Sequence, residues 1–326
     1  MNYQEFLDYI KENLAKYLAE YQNIQSRENK SEEREEDYVV EIHRVLKNNG
    51  VVLDGLTIRK QEENCSPNLY LNPYFDQYQM GRPITTIIKE LVCRYSQAKI
   101  EGMITVADLA DYESVKDRIV LRLVNFEKNE SLLKSCPHKR YMDLAITFRY
   151  MVGKDPVGIA TSLISNQEFE AWNVEFSELY QVALFNTMRE FPWKMDSLAK
   201  VISDYLKDKA PGTLPEDLIS EIEHMENSEN GVSMFVLTND TGINGATCIL
   251  YDNVIKNFAK VQESNIFILP SSVHEVMLVP ENAETETEFL EALVREANDS
   301  AVGLIDLLSD NIYYYDRERD ECMLYN

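Results

Sequence analysis

The sequence predicts an α+β protein in which helices are mixed with antiparallel sheet. Three observations carry this reading. Short apolar or alternating runs such as RIVLRLVN, DLAITFRYMV and IFIL are interspersed with stretches whose apolar residues recur at helical spacing. The strands come in pairs joined by short turns, as antiparallel neighbours do. Helices are too few, and too often separated by paired strands, for a doubly wound parallel sheet.

The first helix is read from Tyr3, Leu7, Ile10, Leu14, Tyr17 and Tyr21, which fall on one stripe. That stripe is expected to pack on the chain's own sheet, with a helix-mediated dimer as the alternative. A polar stretch from Gln22 to Asp37 follows. Beyond it, β-branched residues flank Asn48-Asn49-Gly50 and predict a hairpin, because Asn49-Gly50 accepts the positive φ of a type I′ turn. A helix ending at Gly50 is the competing reading.

Next come a short helix in NPYFDQYQMG, a break at Gly81, and a helix starting near Pro83 that carries Ile84, Ile87, Ile88 and Leu91. Arg118 to Asn125 reads as a strand, Asp143 opens a second, and VGIATSLIS after the turn GKDP completes a hairpin. Ser165 and Glu168 have capping-box spacing at the start of a short helix that reaches Trp172. Helices are expected over Phe176–Arg189 and Met195–Leu206.

Lys207 to Asp217, with two prolines and a glycine, is the candidate linker, and an acidic helix follows near Leu218–Met225. The expected division is therefore an N-terminal α+β region over 1–206, a linker over 207–230, and a C-terminal domain over 231–326. That last domain reads ββαββαββ, with its helices on one face of the sheet. Its strands are MFVLT, ATCILYD, IFIL, VMLVP, IYYYD and CMLY; its helices are DNVIKNFAKVQ and TETEFLEALVREAN.

Composition bounds the function. Apolar residues make up 44% of the chain and charged residues 27%, enough to build a core. A net charge of -24 opposes direct binding to nucleic acid or anionic lipid, which draws on Lys and Arg. It serves solubility or, alternatively, a protein partner with a basic surface. Five cysteines with no CxxC argue against a disulfide framework or zinc ribbon, and point to a reducing cytoplasm. The N-terminus lacks the apolar run of a signal peptide, and no run of about 18 apolar residues occurs.

The phrases KNNGVVLDGLTI, LYLNPYFDQYQMG, RLVNFEKNESLL, LISNQEFEAWNV and ILPSSVHEVMLVP, with the Asp-Leu-Ala at Asp143, occur in order from about Lys47 onward. In these the chain resembles an uncharacterised family of bacterial proteins, a domain of unknown function common in gut anaerobic Gram-positive bacteria. The resemblance implies one recurrent architecture in a bacterial cytoplasm and brings no activity, cofactor or catalytic residue.

The one stretch that suggests chemistry is IFILPSSVHEVMLVP, where His274 and Glu275 lie between two apolar runs. A zincin would need a second histidine at Leu278, so that motif is excluded. Ser271 and Ser272 are too close in sequence to align as nucleophiles for His274. Ser272 and Glu275 instead have the spacing of a capping box, which reads the segment as a strand, a capped turn and a strand. Asp143 could join an acidic centre, but no E-x-K pair follows it. His138, beside Lys139 and Arg140, offers a small basic cluster; His43 and His224 have no ligand-spaced neighbours. Tyrosine-rich stretches at Tyr70–Tyr78 and Tyr313–Tyr315 are core, or alternatively a protein-binding surface. No phosphate-binding loop occurs, and no cofactor or metal site is implied.

Two functional readings remain. One is a non-catalytic protein-binding or regulatory module. The other is a hydrolase or transferase with His274 as general base and Glu275 or Asp143 beside it.

Overall fold

The computed structural model describes residues 1–25, 38–60, 68–97, 106–155, 158–209, 233–283 and 285–325. The α+β class holds, and every pairing whose register is defined is antiparallel. The chain divides into two compact units: Met1–Val115 with Tyr150–Ser162, and Lys116–Arg149 with Leu163–Asn326.

In the first unit the helix Tyr3–Gln25 buries Phe6, Leu7, Ile10, Leu14 and Leu18. It packs with β1 (Tyr38–Leu46), β2 (Val52–Lys60) and β3 (Leu69–Tyr70), and with the helices Asn72–Gln79 and Ile84–Gln97. Strands β1 and β2 form the expected hairpin from Leu46↔Val52 outward. Asn49 (φ 56°) and Gly50 (φ 72°) both take the left-handed conformation that the turn needs. The aromatic cluster at residues 74–78 is core: Tyr74 is buried, Phe75 meets Phe6 edge-on, and Tyr78 meets it at a tilt.

The second unit holds β4 (Ile119–Asn125), β5 (His138–Tyr141) and the start of β6 (Leu144–Asp155); β7 (Gly158–Leu163) pairs with β6. Here Asp143 lies in the tight turn between β5 and β6, with Met142 at φ 54°, and does not open the strand itself. The capping box forms as expected. Ser165 Oγ accepts the Glu168 N–H at 3.2 Å, Glu168 accepts the Ser165 N–H at 2.7 Å, and the helix Asn166–Trp172 starts there. The helix Phe176–Glu190 then packs on β4.

The principal sheet has six strands in the order β13-β12-β10-β11-β9-β8. They are β8 (Trp193–Ser197), β9 (Phe235–Asn239), β10 (Ile266–Leu269), β11 (Val276–Pro280), β12 (Tyr313–Asp316) and β13 (Glu321–Leu324). This arrangement departs from several expectations. Met195 to Ser197 are strand, because they pair with β9; the helix starts only at Leu198, where Ser197 Oγ accepts the Lys200 N–H. The sheet therefore begins before residue 206, and the two units do not divide over 207–230. Most of that linker, and the acidic helix near Leu218–Met225, lie outside the described residues.

ATCILYD is not a strand. With β11 on one side of β9 and β8 on the other, no edge is left for it, and Gly245–Leu250 forms a 3₁₀ helix instead. Gly245 sits so close to its neighbours that an added Cβ would lie 2.2 Å from Thr238 Oγ1 and 2.5 Å from the His274 carbonyl.

The helices of this sheet lie on both faces, not one. The register puts Phe267, Leu269, Val279 and Tyr314 on one face, where Leu290 and Val294 of the helix Thr287–Ser300 cover them. Phe235, Ile268, Leu278 and Tyr313 share the other face, where Phe258 of the helix Val254–Gln262 meets Phe235. A strand buried at every position, as IFIL is, requires cover on both sides.

Candidate functional site

All the residues that sequence reasoning singled out for catalysis lie in the second unit. Pro270 ends β10, and Pro270 to Val273 run buried to β11. The buried backbone of such a connection must find partners. It does so in the loop after the helix Thr287–Ser300. Val273 N–H donates to the Asp306 carbonyl at 2.8 Å, Leu308 N–H to Ser271 at 2.9 Å, and Ser309 N–H to Pro270 at 3.0 Å. On the other side Ala246 N–H donates to the Val273 carbonyl at 3.2 Å.

His274 is held at four points. Its N–H donates to Ser272 Oγ at 3.0 Å, and its carbonyl accepts the Thr238 hydroxyl at 2.8 Å. On the ring, Nδ1 accepts the Asn244 N–H at 3.3 Å and Nε2 lies 3.2 Å from Asp306 Oδ1. The two contacts fix the tautomer, because Nδ1 accepts and Nε2 must therefore carry the proton. The expected capped turn is present in altered form: Ser272 caps the N–H two residues on rather than three. Glu275 is half-buried, and burial pushes its carboxyl above the usual range, opposed by His274 and by a hydrogen bond from Ser272.

Asp143 serves elsewhere. Its Oδ2 accepts Ser309 Oγ at 2.6 Å and Asn311 Nδ2 at 2.9 Å, and its Oδ1 accepts the hydroxyl of fully buried Tyr313. Burial, and then the neighbouring Asp143 charge, hold that phenol protonated far above its ordinary range. The turn itself is tied by Phe126 N–H to the Asp143 carbonyl at 2.9 Å. Asp143 and His274 thus grip one loop at different residues, and the carboxylate on His274 is Asp306 rather than Asp143 or Glu275.

Two polar residues of this region went unnoticed in the sequence. Asp306 lies in GLIDLLSD, a stretch without regular spacing, where nothing marks it. Arg122 did carry a signal: it is the one charge in IVLRLVN, a strand otherwise buried along its length. Its Nε is buried without a hydrogen-bond partner among the described residues. Burial lowers its pKa, against the opposing pull of Asp306.

The remaining candidates are occupied locally. His138 Nδ1 lies 3.0 Å from the Cys136 carbonyl, Lys139 sits over the Tyr180 ring at 4.6 Å, and Arg140 over Phe126 at 4.6 Å. His43 is an exposed β1 residue lining an open groove of about 310 Å³ with Lys11, Arg44 and Asp54, while His224 and Cys65 lie outside the described residues. Burial raises the thiols of Cys136 and Cys322 to about 11 and that of Cys248 to about 12, so none is a thiolate at neutral pH. Tyr313 and Tyr315 are buried, so this tyrosine run is core. Among the described residues no group of His, Cys, Asp and Glu could hold a metal, and no helix is long and apolar enough to cross a membrane.

Comparison with the curated proteins found no match, and comparison with solved structures found none either. A family model does match, over residues 3–317, and by that span the chain belongs to DUF5688, a family of unknown function.

Proposed function

We propose that the protein is a non-catalytic, cytoplasmic binding or regulatory module that engages a partner protein bearing a basic surface. The observation that carries this reading is how the reactive groups are used. Both ring nitrogens of His274 and both carboxylate oxygens of Asp143 are engaged by neighbouring segments, Nδ1 by Asn244, Nε2 by Asp306, and Asp143 by Ser309, Asn311 and Tyr313. The helix Thr287–Ser300 supports the choice of partner. It buries Leu290 and Val294 and leaves Glu288, Phe289, Glu291, Glu296 and Asp299 exposed, with Arg295 paired to Glu291 at 2.8 Å. In a chain of net charge -24 this face suits a basic counterpart. Capture from native lysate at physiological salt should retrieve a partner that higher salt releases. Retrieval of none, with turnover of a small substrate by the purified chain, would overturn the reading.

The second reading, a hydrolase or transferase with His274 as general base, is favoured by the His274–Asp306 contact of 3.2 Å. Glu275 and Asp143 do not supply that carboxylate. For His274 to take a proton, Nδ1 must first release the Asn244 N–H. Activity abolished in His274→Ala, with the variant still folded, would establish it.

A further inference from the structure

We infer that the groove between the helix Tyr3–Gln25 and the β1–β2 hairpin binds a free α-amino acid with an apolar side chain. This goes beyond the partner-binding reading, concerns the first unit alone, and stands without that reading. The groove has a volume of about 310 Å³, in the range of small-molecule sites. Its charged lining is balanced: Lys11 and Arg44 are positive, Asp8 and Asp54 negative.

Each carboxylate is tied through one oxygen to a neutral donor. The Tyr3 hydroxyl donates to Asp54 Oδ2 at 2.6 Å, and Gln4 Nε2 donates to Asp8 Oδ1 at 2.9 Å. Burial, and then the Asp54 hydrogen bond, hold the Tyr3 phenol far above its ordinary range, so it stays a donor and brings no charge. The second oxygen of each carboxylate accepts nothing among the described residues. Neither Lys11 nor Arg44 has a hydrogen bond or ion pair among them. The hairpin register nevertheless puts Arg44 directly opposite Asp54 on one face, with Cβ atoms about 5 Å apart. Opposite charges so placed attract each other; here Asp54 is held by Tyr3, and Arg44 is left to the groove.

That juxtaposition selects the ligand. An α-amino acid carries its carboxylate and its ammonium on one carbon, so it needs a cation and an anion side by side. The planar Arg44 fork takes the carboxylate two bonds at a time, and the open oxygen of Asp54 takes the ammonium. Asp8 and Lys11, three residues apart and so neighbours on the helix, add a second pair of the same two signs. A plain anion would leave both acids unanswered, and a plain cation both bases. Leu7 and Ile42 supply apolar wall, which suits an aliphatic side chain. His43 also borders the groove, but it alternates to the other face of β1 from Arg44 and takes no part.

The test is equilibrium dialysis of the full chain against radiolabelled L-leucine at neutral pH and constant ionic strength. Wild type should take up leucine saturably at one site per chain. Unlabelled 4-methylpentanoate, which lacks the ammonium, and 3-methylbutylamine, which lacks the carboxylate, should each compete at least tenfold less well than unlabelled leucine. Arg44→Met and Asp54→Asn should each weaken uptake at least tenfold; the asparagine keeps an acceptor for Tyr3 and so spares the fold. Should either fail to fold, Lys11→Met, at an exposed helix position, should still weaken uptake. No saturable uptake by wild type, equal uptake by the folded variants, or competition by either half-molecule as strong as by leucine would overturn the inference.

Discussion

At the scale of single residues, the side chains that look most reactive in the sequence act as ties. Asp143 accepts from buried Ser309 and Tyr313 and from exposed Asn311, so its removal leaves two buried donors unmet. Asp143→Ala should cost on the order of 3 kcal/mol, read as a lower urea midpoint with an unchanged slope. Glu275 behaves oppositely. Its carboxyl is raised in the folded state, so the folded chain holds a proton that the unfolded chain has released, and stability falls as pH rises through this window. Glu275→Gln should therefore gain stability relative to wild type at neutral pH and lose that advantage near pH 4, as a pair of denaturation series would show. His274 was legible as a notable residue from its neighbours in sequence. Its partner Asp306 was not, because the two meet only when distant segments fold together and no local spacing encodes that contact.

At the scale of elements, local chemistry was legible and competition between elements was not. The Asn49-Gly50 turn and the Ser165–Glu168 box each act within a few residues, and both form as the sequence predicts. Ser165→Ala should lower stability by about 1 kcal/mol and fray the helix Asn166–Trp172, detectable as faster amide exchange in its first turn. Met195–Ser197 and ATCILYD were misread for one shared reason. Both compete for the same side of β9, and β8 holds it, so one helical-looking segment becomes strand while one strand-like segment becomes a 3₁₀ turn. Pairing decides such cases over intrinsic propensity. The two-sided cover of the sheet was present in the sequence as the uninterrupted apolar run IFIL, which the assumption of a one-sided sheet passed over.

For the whole molecule, charge is the property most open to a partner. A net charge of -24 has no counterpart in the catalytic candidates, which are held by hydrogen bonds inside the second unit. If the acidic face of the helix Thr287–Ser300 is the docking surface, binding should weaken with added salt, as contacts between exposed charges do. The Family of unknown function to which the chain belongs supplies no activity against which to weigh this. The most direct measurement is quantitative capture from native lysate by the wild-type chain and by a Glu288→Lys, Glu291→Lys, Glu296→Lys variant, side by side at physiological salt. The account predicts a partner with a basic surface that the wild type retains and the variant loses at least tenfold, about 1.4 kcal/mol. Equal retention by both chains, or no partner together with a substrate turned over by wild type and not by His274→Ala, would contradict it.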